Sequence, residues 1–127
     1  MSDRVQQFVS YRQRMNERIL GIDNQLTKRF FALDRQCYGE GGQLDIRTKE
    51  MLGLVASLVL RCDDCVSYHL AQCRQAGLSF DEIYEAMSVG LVVGGSIVIP
   101  HLRRAVEFLD QLAAADATES PSAGPAG

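Results

Sequence analysis

Apolar residues recur at three- and four-residue intervals along almost the whole chain, and nowhere do apolar and polar side chains alternate between turn residues as in a strand. The pattern predicts an all-α protein, a compact helical bundle of about six helices. Phe8, Tyr11, Met15 and Ile19 draw one stripe along the first segment. Gly21 offers a stop before Leu26, Phe30, Phe31 and Leu33 begin a second stripe, so two N-terminal helices are expected within residues 1–38. The run Gly39-Glu-Gly-Gly42 reads as a loop, and Asp45 can N-cap a third helix running through Met51 to Leu60. That helix is apolar nearly all round, which predicts a central position.

The next segment, Cys62 to Ala76, ends at Gly77, a residue suited to the left-handed position after a helix, and Ser79-Phe-Asp-Glu82 has capping-box spacing for the helix that follows. Gly90 and Gly94 stand one turn apart. They let a neighbouring helix come close, within the protein or across a subunit contact, and packing within the core is the simpler reading. Pro100 is tolerated in a first turn and opens a last helix through Leu102, Val106 and Leu109. From about Ala113 the chain is rich in Ala, Ser, Pro and Gly, which predicts a disordered tail over 113–127 behind a single domain over 1–112. No internal repeat is found.

A chain of 127 residues, 46% hydrophobic and 23% charged, suffices for one domain with a modest core. Its net charge of −3, its pI near 5.3 and the lack of any block of five like charges give no general attraction for phosphate backbones, so no nucleic-acid partner is expected. The start, Met1-Ser-Asp-Arg-Val, lacks the cationic and apolar regions of an export signal, and a cytoplasmic location is expected. The longest nearly uncharged stretch, Ala86 to Ile99, falls short of the ~20 residues of a membrane span and is interrupted by three glycines, so no membrane partner is expected. Four cysteines could form a secreted disulfide framework, but such frameworks usually replace a core that this sequence can build.

The chemistry concentrates in Cys62-Asp-Asp-Cys65-Val-Ser-Tyr-His69. At about 100° and 1.5 Å per residue, Cys62, Cys65, His69 and Cys73 fall within an arc of about 80° on one helix face. Cys62 and Cys65 are close enough for a disulfide across the first turn, and His69 lies one turn beyond Cys65. A helix N-terminus and a nearby imidazole both favour a thiolate, and a second thiol can resolve a sulfenic acid or a mixed disulfide. Asp63 and Asp64 oppose this, since their negative charge raises thiol pKa values. The same residue types invite a zinc reading. Cys62 and Cys73, however, would lie about 16 Å apart along the axis, beyond one tetrahedral shell with Zn–S bonds of about 2.3 Å. A site of Cys62, Cys65 and His69 with an outside ligand stays open, as does a core made of two small cysteines and a buried histidine, but no metal or cofactor is expected.

Glu50 is the other residue to single out, an acid followed by ten uncharged residues. By spacing alone it reads as a solvated first-turn carboxylate beside Lys49, favourable to the helix dipole. On a helix continuous into the cysteine segment it would sit about 18 Å from Cys62 and could meet the site only from another subunit. A break near Arg61 would fold the two helices back on one another, yet no Gly or Pro marks one. Cys37 and Cys73 read as buried thiols, with Cys73 able to line the site, and His101 reads as a surface histidine rather than an anion-binding group at a helix start. Tyr68 adjoins the motif without a readable role, and Arg4, Arg12, Arg14 and Arg18 read as a solvated face.

Glu50, Cys62-Asp-Asp-Cys65, His69 and Gly77-Leu-Ser-Phe-Asp-Glu82-Ile, at these spacings, resemble the AhpD-like alkylhydroperoxidase and carboxymuconolactone decarboxylase family over about residues 44–112. The resemblance implies a helical homo-oligomer, trimer or hexamer, with a C-x-x-C at the start of a helix near a subunit contact. It also implies a break before Cys62 that brings Glu50 to His69. Carried over position by position, Cys65 would be the peroxidatic thiol, Cys62 would resolve it, His69 would move protons and Glu50 would fix the His69 tautomer. The implied activity is that of a peroxidase or disulfide reductase of peroxiredoxin type. Its partners would be a hydroperoxide or disulfide substrate and a thiol-based electron donor protein. Peroxidase members can carry a histidine between the cysteines where this chain has Asp64, which bears on peroxidase strength. A non-enzymatic, oligomeric redox-sensing or partner-binding module is the first alternative and a lactone decarboxylase the second. Decarboxylase members do not depend on a cysteine pair, so its presence here favours redox chemistry.

Overall fold

The computed structural model describes residues 4–119, and six α-helices with one 3₁₀ turn account for nearly all of them. The all-α expectation and the number of helices hold. Contacts divide the chain into two units, residues 1–46 and 47–127.

The first unit is a pair of touching helices, α1 (Arg4–Leu20) and α2 (Gln25–Tyr38). Helix α2 starts where Asn24 Oδ1 accepts the Thr27 backbone N–H at 3.0 Å, a side-chain cap on an otherwise orphaned donor. The Arg14 guanidinium lies 5.3 Å from the Tyr11 ring centre. Both helices carry apolar stripes, yet neither contains a buried residue, and Tyr11, Leu26, Phe30 and Leu33 are all exposed.

The second unit holds the core. It comprises α3 (Ile46–Val59) from its second residue on, α4 (Asp63–Gln75), α5 (Phe80–Gly94), the 3₁₀ turn (Ser96–Val98) and α6 (Ile99–Glu119). Leu58 of α3, Leu70 of α4, Ile83 and Met87 of α5, and Phe108 and Leu109 of α6 are fully buried together with Val98 of the 3₁₀ turn. Each such side chain contributes about 1.5–3 kcal/mol relative to exposure. Helix α3 is less central than its composition suggested: Glu50, Leu54, Ser57 and Leu58 form its buried side, while Leu52 and Leu60 just past its end are exposed. Gly90 serves close packing within the unit, since a Cβ there would meet Leu58 Cδ2 at 3.3 Å and Val55 Cγ1 at 3.5 Å.

Residues 113–119, expected to begin a disordered tail, instead continue α6. Alanine is the best helix former, and Arg74 of α4 holds Asp116 by an ion pair of 2.8 Å. The remainder of the expected tail, 120–127, lies outside the described residues.

Two turns of one type bracket α4. At its far end the Leu78 N–H bonds to the Cys73 carbonyl and the Gly77 N–H to that of Arg74, with Gly77 at φ +94°. This is a Schellman motif with glycine in the left-handed position, as predicted. At the junction with α3 the Cys62 N–H bonds to the Ser57 carbonyl and the Arg61 N–H to that of Leu58. The pattern is the same, but the left-handed residue is Arg61, at φ +62°. The break therefore exists, and it turns the chain between α3 and α4 without a glycine or proline.

Candidate active site

With α3 ended at Val59 and α4 begun at Asp63, Glu50 meets His69 instead of standing a long helix away from it. Glu50 Oε1 lies 2.8 Å from His69 Nδ1, and the two residues are 3% and 7% exposed. The solvated-carboxylate reading of Glu50 is thereby overturned. A carboxylate this deep is tolerable only with a partner that answers its charge or its lone pairs. An ionised carboxylate only accepts, so beside one, Nδ1 donates the shared hydrogen. The Tyr68 ring meets the His69 ring edge-on, with centres 5.2 Å apart, which gives the motif's neighbouring tyrosine a place against the imidazole.

The sulfurs sit at the other end of the motif. Cys62 is the N-cap of α4: its backbone is extended, and its Sγ accepts the Cys65 N–H at 3.3 Å. Sulfur here does what a serine or aspartate oxygen does at most helix starts. Cys62 is half-buried and Cys65 exposed, so the C-x-x-C spans the boundary between solvent and the inside of the unit. One turn past Cys65 comes His69, and one turn further Cys73, which is fully buried. Burial, with a smaller contribution from the Glu50 charge, pushes the Cys73 thiol up to about 12. It is protonated at neutral pH and is no nucleophile. Cys37, expected to be buried, is exposed on α2 in the other unit.

Asp63, whose charge was expected to oppose a thiolate, does not stand alone. Its Oδ1 lies 2.8 Å from His101 Nδ1 and its Oδ2 2.8 Å from Arg104 Nε, both in the first turns of α6. Partial burial works to raise the Asp63 carboxyl, but the hydrogen bonds and positive charges of these partners outweigh it and hold the group below the usual carboxylate range. His101 is thus a half-buried carboxylate partner, not a surface histidine. Arg104 carried no signal in the sequence beyond sharing a helix face with His101 at i,i+3 spacing. Asp64 is exposed. Among the described residues no three His, Cys, Asp or Glu side chains converge as a metal site, and no helix is long and apolar enough to cross a membrane.

The sequence profile of the carboxymuconolactone decarboxylase family matches residues 24–108. A crystal structure from Thermotoga maritima is 55% identical, covers 88% of this chain and 97% of its own, and superposes with a TM-score of 0.84. A second structure of the Thermotoga protein, 54% identical with a TM-score of 0.83 over 88% of this chain and 94% of its own, describes it as a member of the same family with a suggested part in the antioxidative response. At 18% identity, a family protein from Legionella pneumophila shares the fold, with a TM-score of 0.77 over 87% of this chain and 97% of its own.

Proposed function

The chain belongs to the carboxymuconolactone decarboxylase family, and from that premise we propose that it is a thiol-dependent oxidoreductase, reducing hydroperoxides or disulfides with Cys65 and Cys62 and moving protons through His69 and Glu50. One observation carries the reading: Cys62 Sγ takes the Cys65 N–H at a helix start, one turn ahead of a buried Glu50–His69 pair. The part in the antioxidative response suggested for the Thermotoga maritima relative points the same way.

Of the pair, Cys65 is the more exposed residue, and in this reading it is the thiol that the peroxide meets. It gives its proton to His69, and the thiolate attacks the terminal oxygen of ROOH. The O–O bond breaks, Cys65 becomes a sulfenic acid, and the departing alkoxide leaves as ROH with the proton from His69. Glu50 accepts from Nδ1 and stabilises the imidazolium formed in between. The Cys62 thiol then attacks the sulfenic sulfur, water leaves, and a Cys62–Cys65 disulfide forms. A dithiol donor protein returns both electrons by exchange and is itself oxidised to a disulfide. The working form in this reading is a homo-oligomer, a trimer or hexamer, in support of which Phe30 and Leu33 of α2 and Val92 and Val93 of α5 are large apolar side chains left exposed.

Intact mass after thiol alkylation, before and after one equivalent of an organic hydroperoxide, tests the chemistry. Reduced wild type is expected to lose two alkylatable thiols, mapped to Cys62 and Cys65, and the Cys65→Ser variant is expected to form no such disulfide. Peroxide turnover that survives Cys65→Ser, or wild type that begins fully reduced and loses no thiol, overturns the proposal.

A further inference from the structure

We infer that His101 and Arg104 are positioning residues for the thiol pair, occupying both oxygens of Asp63 so that its negative charge is answered beside the sulfurs and the first turn of α4 is fixed to α6. The inference rests on the thiol reading above and deepens it.

Asp63 follows the cap residue Cys62 directly, in the turn that also carries Cys65. Its own helix does not use its carboxylate, because the cap is supplied by the Cys62 sulfur. One oxygen goes to His101 Nδ1 and the other to Arg104 Nε, each at 2.8 Å. These are short, charge-assisted bonds to two side chains one turn apart on α6. Since an ionised carboxylate only accepts, Nδ1 of His101 must carry the shared hydrogen. The Arg104 terminal nitrogen lies 3.2 Å from Nδ1, which, already donating to Asp63, does not also accept from it. His101 donates in either protonation state, while Arg104 supplies a permanent positive charge.

The consequence for the sulfurs is electrostatic. A carboxylate with no cation against it, one or two residues from a thiolate, disfavours that thiolate by about threefold to tenfold at the effective dielectric near a protein surface. With Arg104 on the same carboxylate, the thiolate meets a dipole instead of a net charge. The pair is thus spared half of the acidic environment that its two central residues bring, and Asp64, exposed, supplies the rest.

Alkylation of reduced protein by iodoacetamide, followed at each cysteine by mass spectrometry across pH, reads the thiols without peroxide. It therefore decides this inference even where the peroxidase reading fails. Arg104→Gln is expected to raise the pH midpoint of the more acidic of Cys62 and Cys65 and to slow its reaction at pH 7 by about threefold to tenfold. Adding Asp63→Asn to the same chain is expected to bring the midpoint back. A merely structural clamp would not be rescued by deleting the charge it held. An unmoved midpoint in Arg104→Gln that keeps its helicity overturns the inference, as does a midpoint that Asp63→Asn fails to restore. Should Arg104→Gln not fold, Asp63→Asn alone decides: a midpoint unchanged or lowered supports the inference, and a raised one overturns it.

Discussion

Helix α4 is entered and left through the same backbone turn, with opposite chemistry at the left-handed position. At the exit Gly77, at φ +94°, has nothing within 4 Å of where a Cβ would be, so the turn costs little beyond the freedom glycine gives up. At the entrance Arg61 adopts φ +62° with a full side chain, a conformation that costs about 1–2 kcal/mol. The exit carries no chemistry, whereas the entrance sets Cys62, Cys65 and Asp63 in place and brings α3 back so that Glu50 can reach His69. A strained residue persists where its surroundings over-determine it. Here the buried Glu50–His69 contact and the two backbone bonds from Arg61 and Cys62 do so.

Removing the buried contact is the strongest way to break that contrast. Glu50→Ala leaves the buried His69 Nδ1–H without its acceptor and removes buried methylenes, and is expected to lower unfolding free energy by about 2–4 kcal/mol in urea titration. A loss below that of the exit variant would show that the entrance turn stands without the pair. Gly77→Ala comes next. With open space around it, its expected cost of about 1–2 kcal/mol is conformational alone, and thermal unfolding should show it as a lowered Tm. Arg61→Gly should move the other way, gaining about 0.5–1 kcal/mol once the added freedom of the unfolded chain is subtracted. A stability lowered by about 0.5–1 kcal/mol there, the entropic cost of glycine alone, would mean that Arg61 holds no strain.

The smallest effect is expected in acid. Asp63 has its folded pKa held below the ordinary carboxylate value of 3.8 by its α6 partners, so its contribution is complete at neutral pH and is lost as pH falls from about 3.8 through the lower folded value. Unfolding midpoints of Asp63→Asn should accordingly depend less on pH below that value than those of wild type. An identical acid slope in the two proteins would remove Asp63 from the entrance's electrostatics.

The same contrast explains what could be read in advance. Gly77, Ser79 and Glu82 announce their turn and cap by residue type, and the capping box is present with bonds of 2.8 and 3.1 Å. Arg61 announces nothing, because its conformation is imposed by contacts between helices and not preferred by arginine. Along an unbroken helix Glu50 is out of reach of the motif, and only the family resemblance pointed to the His69 contact. The Asp63 partners are 38 and 41 residues away on another helix, where no local spacing connects them. The extension of α6 is hidden for a different reason: alanine keeps company there with serine, proline and glycine, whose composition suggests disorder, although in a helix it is the most favourable residue of all.

A sulfur that caps a helix ties the end of that helix to an electrode potential. In the reduced state Cys62 Sγ accepts the Cys65 N–H, and a disulfide with Cys65 would replace that arrangement with a bond to the very residue whose amide it had satisfied. Whatever the cap contributes belongs to the dithiol. Sulfur is a weaker acceptor than the oxygens that usually cap, and a contribution of about 0.5 kcal/mol, the low end of the capping range, would raise the two-electron potential of the proposed couple by about 10 mV. Helix geometry would thereby bias the proposed couple toward giving up its disulfide, and the exchange rate of the Cys65 amide hydrogen would report the redox state of the pair.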